Sequence, residues 1–134
     1  MVSGLFSGYR DFCQASVDPQ KEQAFLAERL QNNESIILCG LQDDQPIAFA
    51  QIYFTFSSVG LSKMWVINYL YVAKSHRNQG IGKILLQDIE QRARDAGIAV
   101  LKISTQVGNE TGNHLYPALG FNLNTAFNHY GKKL

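Results

Sequence analysis

The first helix signal in the chain is a set of apolar positions, Leu5, Tyr9, Phe12 and Cys13, which recur at helical spacing and predict a helix over residues 5–14. Asp18-Pro19 then opens a second helix, with Asp18 as N-cap and Pro19 at the first helical position. It runs to about residue 30 and offers Phe25, Leu26 and Leu30 for burial. The pattern changes at residue 35. Residues 35–41 are apolar and β-branched, residues 42–45 form a polar turn, and residues 46–56 alternate with many aromatics. The two segments predict an antiparallel hairpin. Residues 57–62 are a loop containing Gly60. Residues 64–73 form a third strand, apolar enough to be central. A helix follows over residues 80–96, with Gly82, Leu85, Leu86, Ile89, Ala93 and Ala96 inward and Gly97 as its C-cap. Residues 98–105 read as a strand, residues 111–119 as a short helix stopped by Gly120, and residues 121–134 as one or two terminal strands. The order is ααβββαβαβ. The strand-helix-strand unit implies a parallel pair at the centre, and the hairpin before it makes the sheet mixed and mostly antiparallel. The expected class is mixed α/β, with helices on both faces.

The length of 134 residues fits one domain, residues 1–134, and needs no disulfide or metal staple. A net charge of +1 gives no sign of a nucleic-acid partner. The distribution of charge says more. Residues 1–44 carry seven acids and three bases, a net of −4, whereas residues 45–87 carry Lys63, Lys74, Arg77 and Lys83 and no acid. This reads either as chance in a short chain or as an anion-binding middle beside an acidic lobe. Cys13 and Cys39 sit in apolar stretches without metal or CxxC spacing, so both read as small buried hydrophobes in a reducing compartment. No signal peptide or membrane-length apolar run is visible, which points to a soluble cytoplasmic protein without a membrane partner.

The chemistry lies in the loop Arg77-Asn78-Gln79-Gly80-Ile81-Gly82, between a strand and a helix. A helix N-terminus leaves backbone N–H groups unpaired and carries the positive end of the dipole. Gly80 and Gly82 let a phosphate come close to the backbone, and Lys74, His76, Arg77 and Lys83 surround it. A dinucleotide-binding GxGxxG would need a third glycine, but Leu85 stands there. A P-loop would need a first glycine where Arg77 stands, and Ser or Thr where Ile84 stands. The pattern that does fit is Arg/Gln-x-x-Gly-x-Gly/Ala.

That pattern, the preceding Asn68-Tyr69-Leu70-Tyr71-Val72, and the later Asn109…Leu115-Tyr116-Pro117-Ala118-Leu119-Gly120-Phe121 together resemble the GNAT superfamily of acetyl-CoA-dependent N-acetyltransferases, over roughly residues 5–134. The resemblance implies a GNAT-type fold and acetyl-CoA as cosubstrate, with no metal. It assigns the coenzyme's diphosphate to Asn78, Gln79, Gly80, Ile81, Gly82 and Lys83, with Arg77 in support. It assigns the pantetheine arm to the backbone of Leu70, Tyr71 and Val72 and to Asn109. Tyr116 takes the place of the tyrosine that protonates the leaving thiolate. Transfer to the amine would be direct.

The chain departs from the family in two places. No Asp or Glu occurs in residues 45–87, so the carboxylate that many relatives use as a base has no counterpart. His114 lies near the later motif, and the reading favours a surface histidine. The family's first strand is also missing ahead of the first helix, which leaves an open sheet edge and favours a homodimer. By the same resemblance the acceptor site falls on Tyr9, Phe12, residues 54–62, Trp65 and residues 127–130. The acidic lobe suits a small cationic primary amine, such as a polyamine or amino sugar; a protein N-terminus or lysine stays open. The competing readings are a non-catalytic acyl-CoA-binding module and a nucleotide-phosphate binder.

Overall fold

The computed structural model describes residues 18–134, so the helix expected over residues 5–14, with Tyr9, Phe12 and Cys13, lies outside the described residues. The chain divides into two compact units, one ending at Ser104 and the other spanning Thr105–Leu134.

In the first unit, helix α1 (Pro19–Gln31) starts as the sequence predicts. The Asp18 carboxylate accepts the Lys21 N–H at 3.2 Å, and Glu22 folds back to accept the Asp18 N–H at 3.1 Å. Of the three apolar positions expected to be buried, only Leu26 is; Phe25 and Leu30 are 38% and 46% exposed. The buried line of α1 is narrow, running through Glu22 and Leu26 four residues apart. Phe25 lies beside it under the Arg29 guanidinium, 4.8 Å from the ring centre.

Strands β1 (Ser35–Gln42) and β2 (Gln45–Ser57) form the antiparallel hairpin. Its two-residue turn places Asp43 and Asp44 at φ 51° and 62°, a left-handed pair that a tight hairpin requires and that Asp tolerates. Strand β3 (Ser62–Val72) continues antiparallel to β2, and β4 (Val100–Ile103) runs parallel to β3. Helix α2 (Ile81–Asp95) makes the crossover and stops where Gly97 turns left-handed at φ 73°. Five successive β2 residues, Ala48–Ile52, are fully buried, as happens when both faces of a sheet are covered. Phe49 packs on Leu26 of α1 with Ile37, Tyr69 and Tyr71 around it. The alternate residues of β2 turn to the other face, where Leu85, Leu86, Ile89 and Ala93 of α2 are buried. Ala96, also expected inward, is exposed at the helix end. Burying each of the large side chains, such as Phe49 or Ile89, contributes about 1.5–3 kcal/mol.

The sheet order is β1-β2-β3-β4, so the parallel pair stands at one end of the described sheet rather than in its middle. The reason lies in the second unit. After helix α3 (Glu110–Ala118), residues 121–134 form no strand. Asn124 accepts the Ala126 N–H at 3.1 Å in a local turn, which competes with extended pairing. Leu123, Phe127 and Tyr130 are 85%, 68% and 91% exposed. The alternation there is too interrupted by Asn, His and Lys to sustain a buried face.

Candidate functional site

Strand β3 has an irregularity at its centre. Gln51 pairs with Tyr69, but Ile52 pairs with Ile67, so Asn68 is an extra residue on β3. Two hydrogen bonds fix which way the backbone points on either side of it. The Ala99 N–H donates to the Lys63 carbonyl at 3.1 Å, so Lys63, Trp65 and Ile67 face β4. The Ala73 N–H donates to the Ile47 carbonyl at 2.8 Å, so Ala73, Tyr71 and Tyr69 face β2. Leu70 and Val72 therefore turn their backbone groups outward, to the side that β4 occupies lower down. The pairing of β3 with β4 ends at Ile67 with Ile103. Beyond it, among the described residues, no strand pairs the outer edge of residues 68–72. Of the three residues expected to present backbone groups, Leu70 and Val72 do so, while Tyr71 is turned toward Phe49.

The chain leaves this open edge through a short 3₁₀ turn (Lys74–His76) and enters α2 at Gly80. Arg77 bends back on the strand: its Nε donates to the Val72 carbonyl at 3.0 Å, and its guanidinium lies 5.2 Å from the Tyr71 ring centre. The side chain thus braces the loop. Asn78 and Gly80 both have left-handed backbones, at φ 62° and 77°. A Cβ at Gly80 would meet nothing within 4 Å, so the glycine answers to backbone conformation and to open space beside it. The first intrahelical bond is from the Ile84 N–H to the Gly80 carbonyl at 3.1 Å. The N–H groups of Ile81, Gly82 and Lys83 precede it and have no helical acceptor. Asn78, Gln79 and Lys83 are exposed. Open strand edge and bare helix end thus adjoin through residues 73–80, a fit for an elongated ligand with an amide-bearing arm and an anionic group.

In the second unit, Asn109 is the N-cap of α3. Its Oδ1 accepts the Gly112 N–H at 3.1 Å, and its Nδ2 donates to Thr105 Oγ1 at 2.8 Å. One Nδ2 hydrogen is left for a ligand. A Cβ on the buried Gly112 would come within 2.8 Å of Asn109 Nδ2 and 3.1 Å of Tyr116 Cε2, so glycine permits this close packing. Asn113, not singled out in the sequence, donates to the carbonyls of Gln106, Val107 and Asn109 and holds the turn before the helix. Tyr116 is half-buried and stacks edge-on against Phe121, with ring centres 6.1 Å apart. Burial pushes its phenol above the usual value, so it stays protonated through neutral pH. His114 is exposed, as expected of a surface histidine.

Of the expected acceptor residues, Phe54, Thr55, Phe56 and Trp65 line a cavity of about 300 Å³ with Lys63, Met64, Ala96 and Ile98. It lies at the β4-paired end of β3, away from the open edge. Residues 127–130 belong to the second unit and are exposed. Burial pushes the Cys39 thiol up, which suits a packing residue and not a nucleophile. Among the described residues no cluster of metal-ligating side chains occurs, and no helix is long and apolar enough to cross a membrane.

Comparison with known proteins adds to this geometry. Residues 3–121 match the model of the acetyltransferase (GNAT) family, a span that runs through both units. The chain is 36% identical over 129 residues to an uncharacterized N-acetyltransferase, YhfO, of Bacillus subtilis (strain 168), a match covering 96% of this chain and 87% of that protein. Among solved structures, a probable acetyltransferase superposes with a TM-score of 0.92 at 34% identity, over 99% of this chain and 89% of that one. A ribosomal-protein-alanine N-acetyltransferase from Brucella melitensis biovar Abortus 2308 shares the fold, with a TM-score of 0.82 at 18% identity over 99% and 89% of the two chains.

Proposed function

Since the chain belongs to the acetyltransferase (GNAT) family, whose members take acetyl from acetyl-CoA, we propose that it acetylates a primary amine on a small molecule by direct transfer. The observation that carries the proposal is the outward-facing backbone of Leu70 and Val72, continuous with the bare helix end at Gly80. Bound acetyl-CoA supplies an activated thioester. The N–H groups of Gln79 to Lys83 hold its diphosphate, supported by the dipole of α2. The outward N–H groups of Leu70 and Val72 pair with the pantetheine arm and polarise the acetyl carbonyl. Asn109 offers its second Nδ2 hydrogen to the same arm. Tyr116 gives its phenolic proton to the departing thiolate, and the proton released by the acetylated nitrogen, passed on through water, restores the phenol. A thiol near pKa ~8.5 and a phenol at or above ~10 exchange a proton at modest cost. With no Asp or Glu in residues 45–87, the amine attacks in its neutral form, and holding the two substrates together supplies much of the acceleration.

The acceptor assignment rests on charge. The net of −4 over residues 1–44, from seven acids and three bases, attracts a cationic amine toward the site. The outer edge of β1, unpaired among the described residues, supports a homodimer. The unpaired cysteine Cys39 suits the cytoplasm.

A thermal melt with acetyl-CoA, and with ADP as control, tests the coenzyme reading. Saturation at ~100 times the dissociation constant adds about 2.7 kcal/mol, a shift of roughly 8–12 °C for a domain of this size. The expected result is a shift that ADP does not reproduce, followed by turnover on cationic amines. A shift without turnover on any amine would favour a non-catalytic acyl-CoA-binding module. Equal rates on cationic and neutral amines, without salt dependence, would overturn the acceptor assignment.

A further inference from the structure

The loop between β3 and α2 is tied at a second point that neither the sequence motif nor the family assigns. His76 Nε2 lies 2.7 Å from Gln42 Oε1, and His76 Nδ1 lies 2.7 Å from Ser75 Oγ. Because Gln42 Oε1 only accepts, Nε2 carries a hydrogen and donates to it, while Nδ1 pairs with the Ser75 hydroxyl. Both ring nitrogens are therefore satisfied, and the ring is fixed in direction. Gln42 is the last residue of β1, next to the Asp43-Asp44 turn, and 34 residues away in sequence from the histidine it holds.

The placement of this bond gives it a use. The 3₁₀ turn is anchored at its start by the Ala73 N–H on the Ile47 carbonyl, at 2.8 Å. Arg77 is anchored on the Val72 carbonyl at 3.0 Å. The His76–Gln42 bond is a side-chain contact that ties the turn to the β1 side of the β1–β2 hairpin end. Just beyond it come Asn78 and Gly80, both left-handed. A chain with two such residues in three has several competing shapes, and only one directs its N–H groups at a single anion. We propose that Gln42 is a positioning residue for the anion cradle, acting through His76 to hold residues 77–80 in the binding shape. The inference rests on reading that loop as the coenzyme's diphosphate site.

If loss of the tie lowers the fraction of loops in the binding shape about fivefold, the apparent dissociation constant rises about fivefold. Gln42 is exposed and His76 half-buried, so the bond adds little to global stability. The test is calorimetric titration of acetyl-CoA into the full chain and into Gln42→Ala, His76→Ala, the double variant and Gln42→Glu. Each alanine variant should bind roughly fivefold more weakly, with an unliganded melting midpoint within about 1 °C of the parent. The double variant should lose no more than either single one, because the two side chains act as one unit. Gln42→Glu keeps an acceptor for Nε2–H and should restore affinity. In turnover, Gln42→Ala should raise KM for acetyl-CoA while kcat holds, since only formation of the site has changed. Unchanged affinity in either alanine variant would overturn the inference, as would additive losses. If the parent chain itself fails to bind acetyl-CoA, the coenzyme reading falls and takes this inference with it.

Discussion

The two halves of β3 have the same kind of sequence and opposite surroundings. From Met64 to Ile67 the strand is paired on both sides, with β2 and with β4. From Leu70 to Val72 it is paired with β2 alone. One extra residue, Asn68, and the early end of β4 make the difference. In the lower half the backbone groups hold the sheet together; in the upper half Arg77 takes the Val72 carbonyl, while the outward Leu70 groups and the Val72 N–H have no strand partner among the described residues. On the proposed reading, this strand edge serves as a binding surface without an added polar side chain.

The sharpest way to break this comparison is proline at position 70. Its missing N–H faces outward, so the β2 ladder keeps its bonds. Leu70→Pro should still fold, by far-ultraviolet circular dichroism, yet lose about 10²–10³ in kcat/KM, the scale for removing a donor to a developing oxyanion. Retained turnover would mean that the open edge does not carry the coenzyme. Next in size is Tyr116→Phe, for which kcat should fall about a hundredfold while affinity for acetyl-CoA holds. A pH titration of stability adds to that result. Because the folded-state phenol is raised, its contribution is complete below the unfolded value of about 10 and is lost as pH climbs through the folded one. The phenylalanine variant should lack that part of the alkaline decline. A smaller effect, about tenfold in KM for acetyl-CoA, is expected of Gly80→Val, since a β-branched residue resists φ 77°. Calorimetry would separate this from a fall in kcat.

The smallest effect concerns the paired side. Gln51 is fully buried, its Nε2 reaches Ser35 Oγ at a long 3.4 Å, and its Oε1 has no donor among the described residues. Gln51→Met removes that uncompensated group at similar volume and should stabilise the fold by about 1 kcal/mol. The melting midpoint should rise roughly 4 °C. A lower midpoint would show that the Ser35 contact outweighs the bare oxygen.

Most of the fold was legible in the sequence because its signals are local. Asp18-Pro19, the Asp43-Asp44 turn, Gly97 and Gly120 each mark a boundary through their own backbone chemistry, and the observed elements begin or end beside them. The helix start after Gly80 was legible for the same reason. The phase change at Asn68 was not, because the run Trp65-Val66-Ile67-Asn68-Tyr69-Leu70-Tyr71-Val72 is apolar in both alternations and hides an inserted residue. Residues 121–134 form no strand because the aromatics there are scattered and Asn124 turns the chain locally. The Gln42–His76 bond joins positions that no pattern connects.

The open edge of β3 also bears on handling and storage. A row of outward N–H and C=O groups without a strand beside it is a template for any extended chain, including a neighbouring molecule of the same protein. Coenzyme seated along Leu70 and Val72 would cover that template. Purified protein should therefore clump more readily when stripped of acetyl-CoA, and light scattering on warming should show the ligand acting as a solubility factor as well as a substrate.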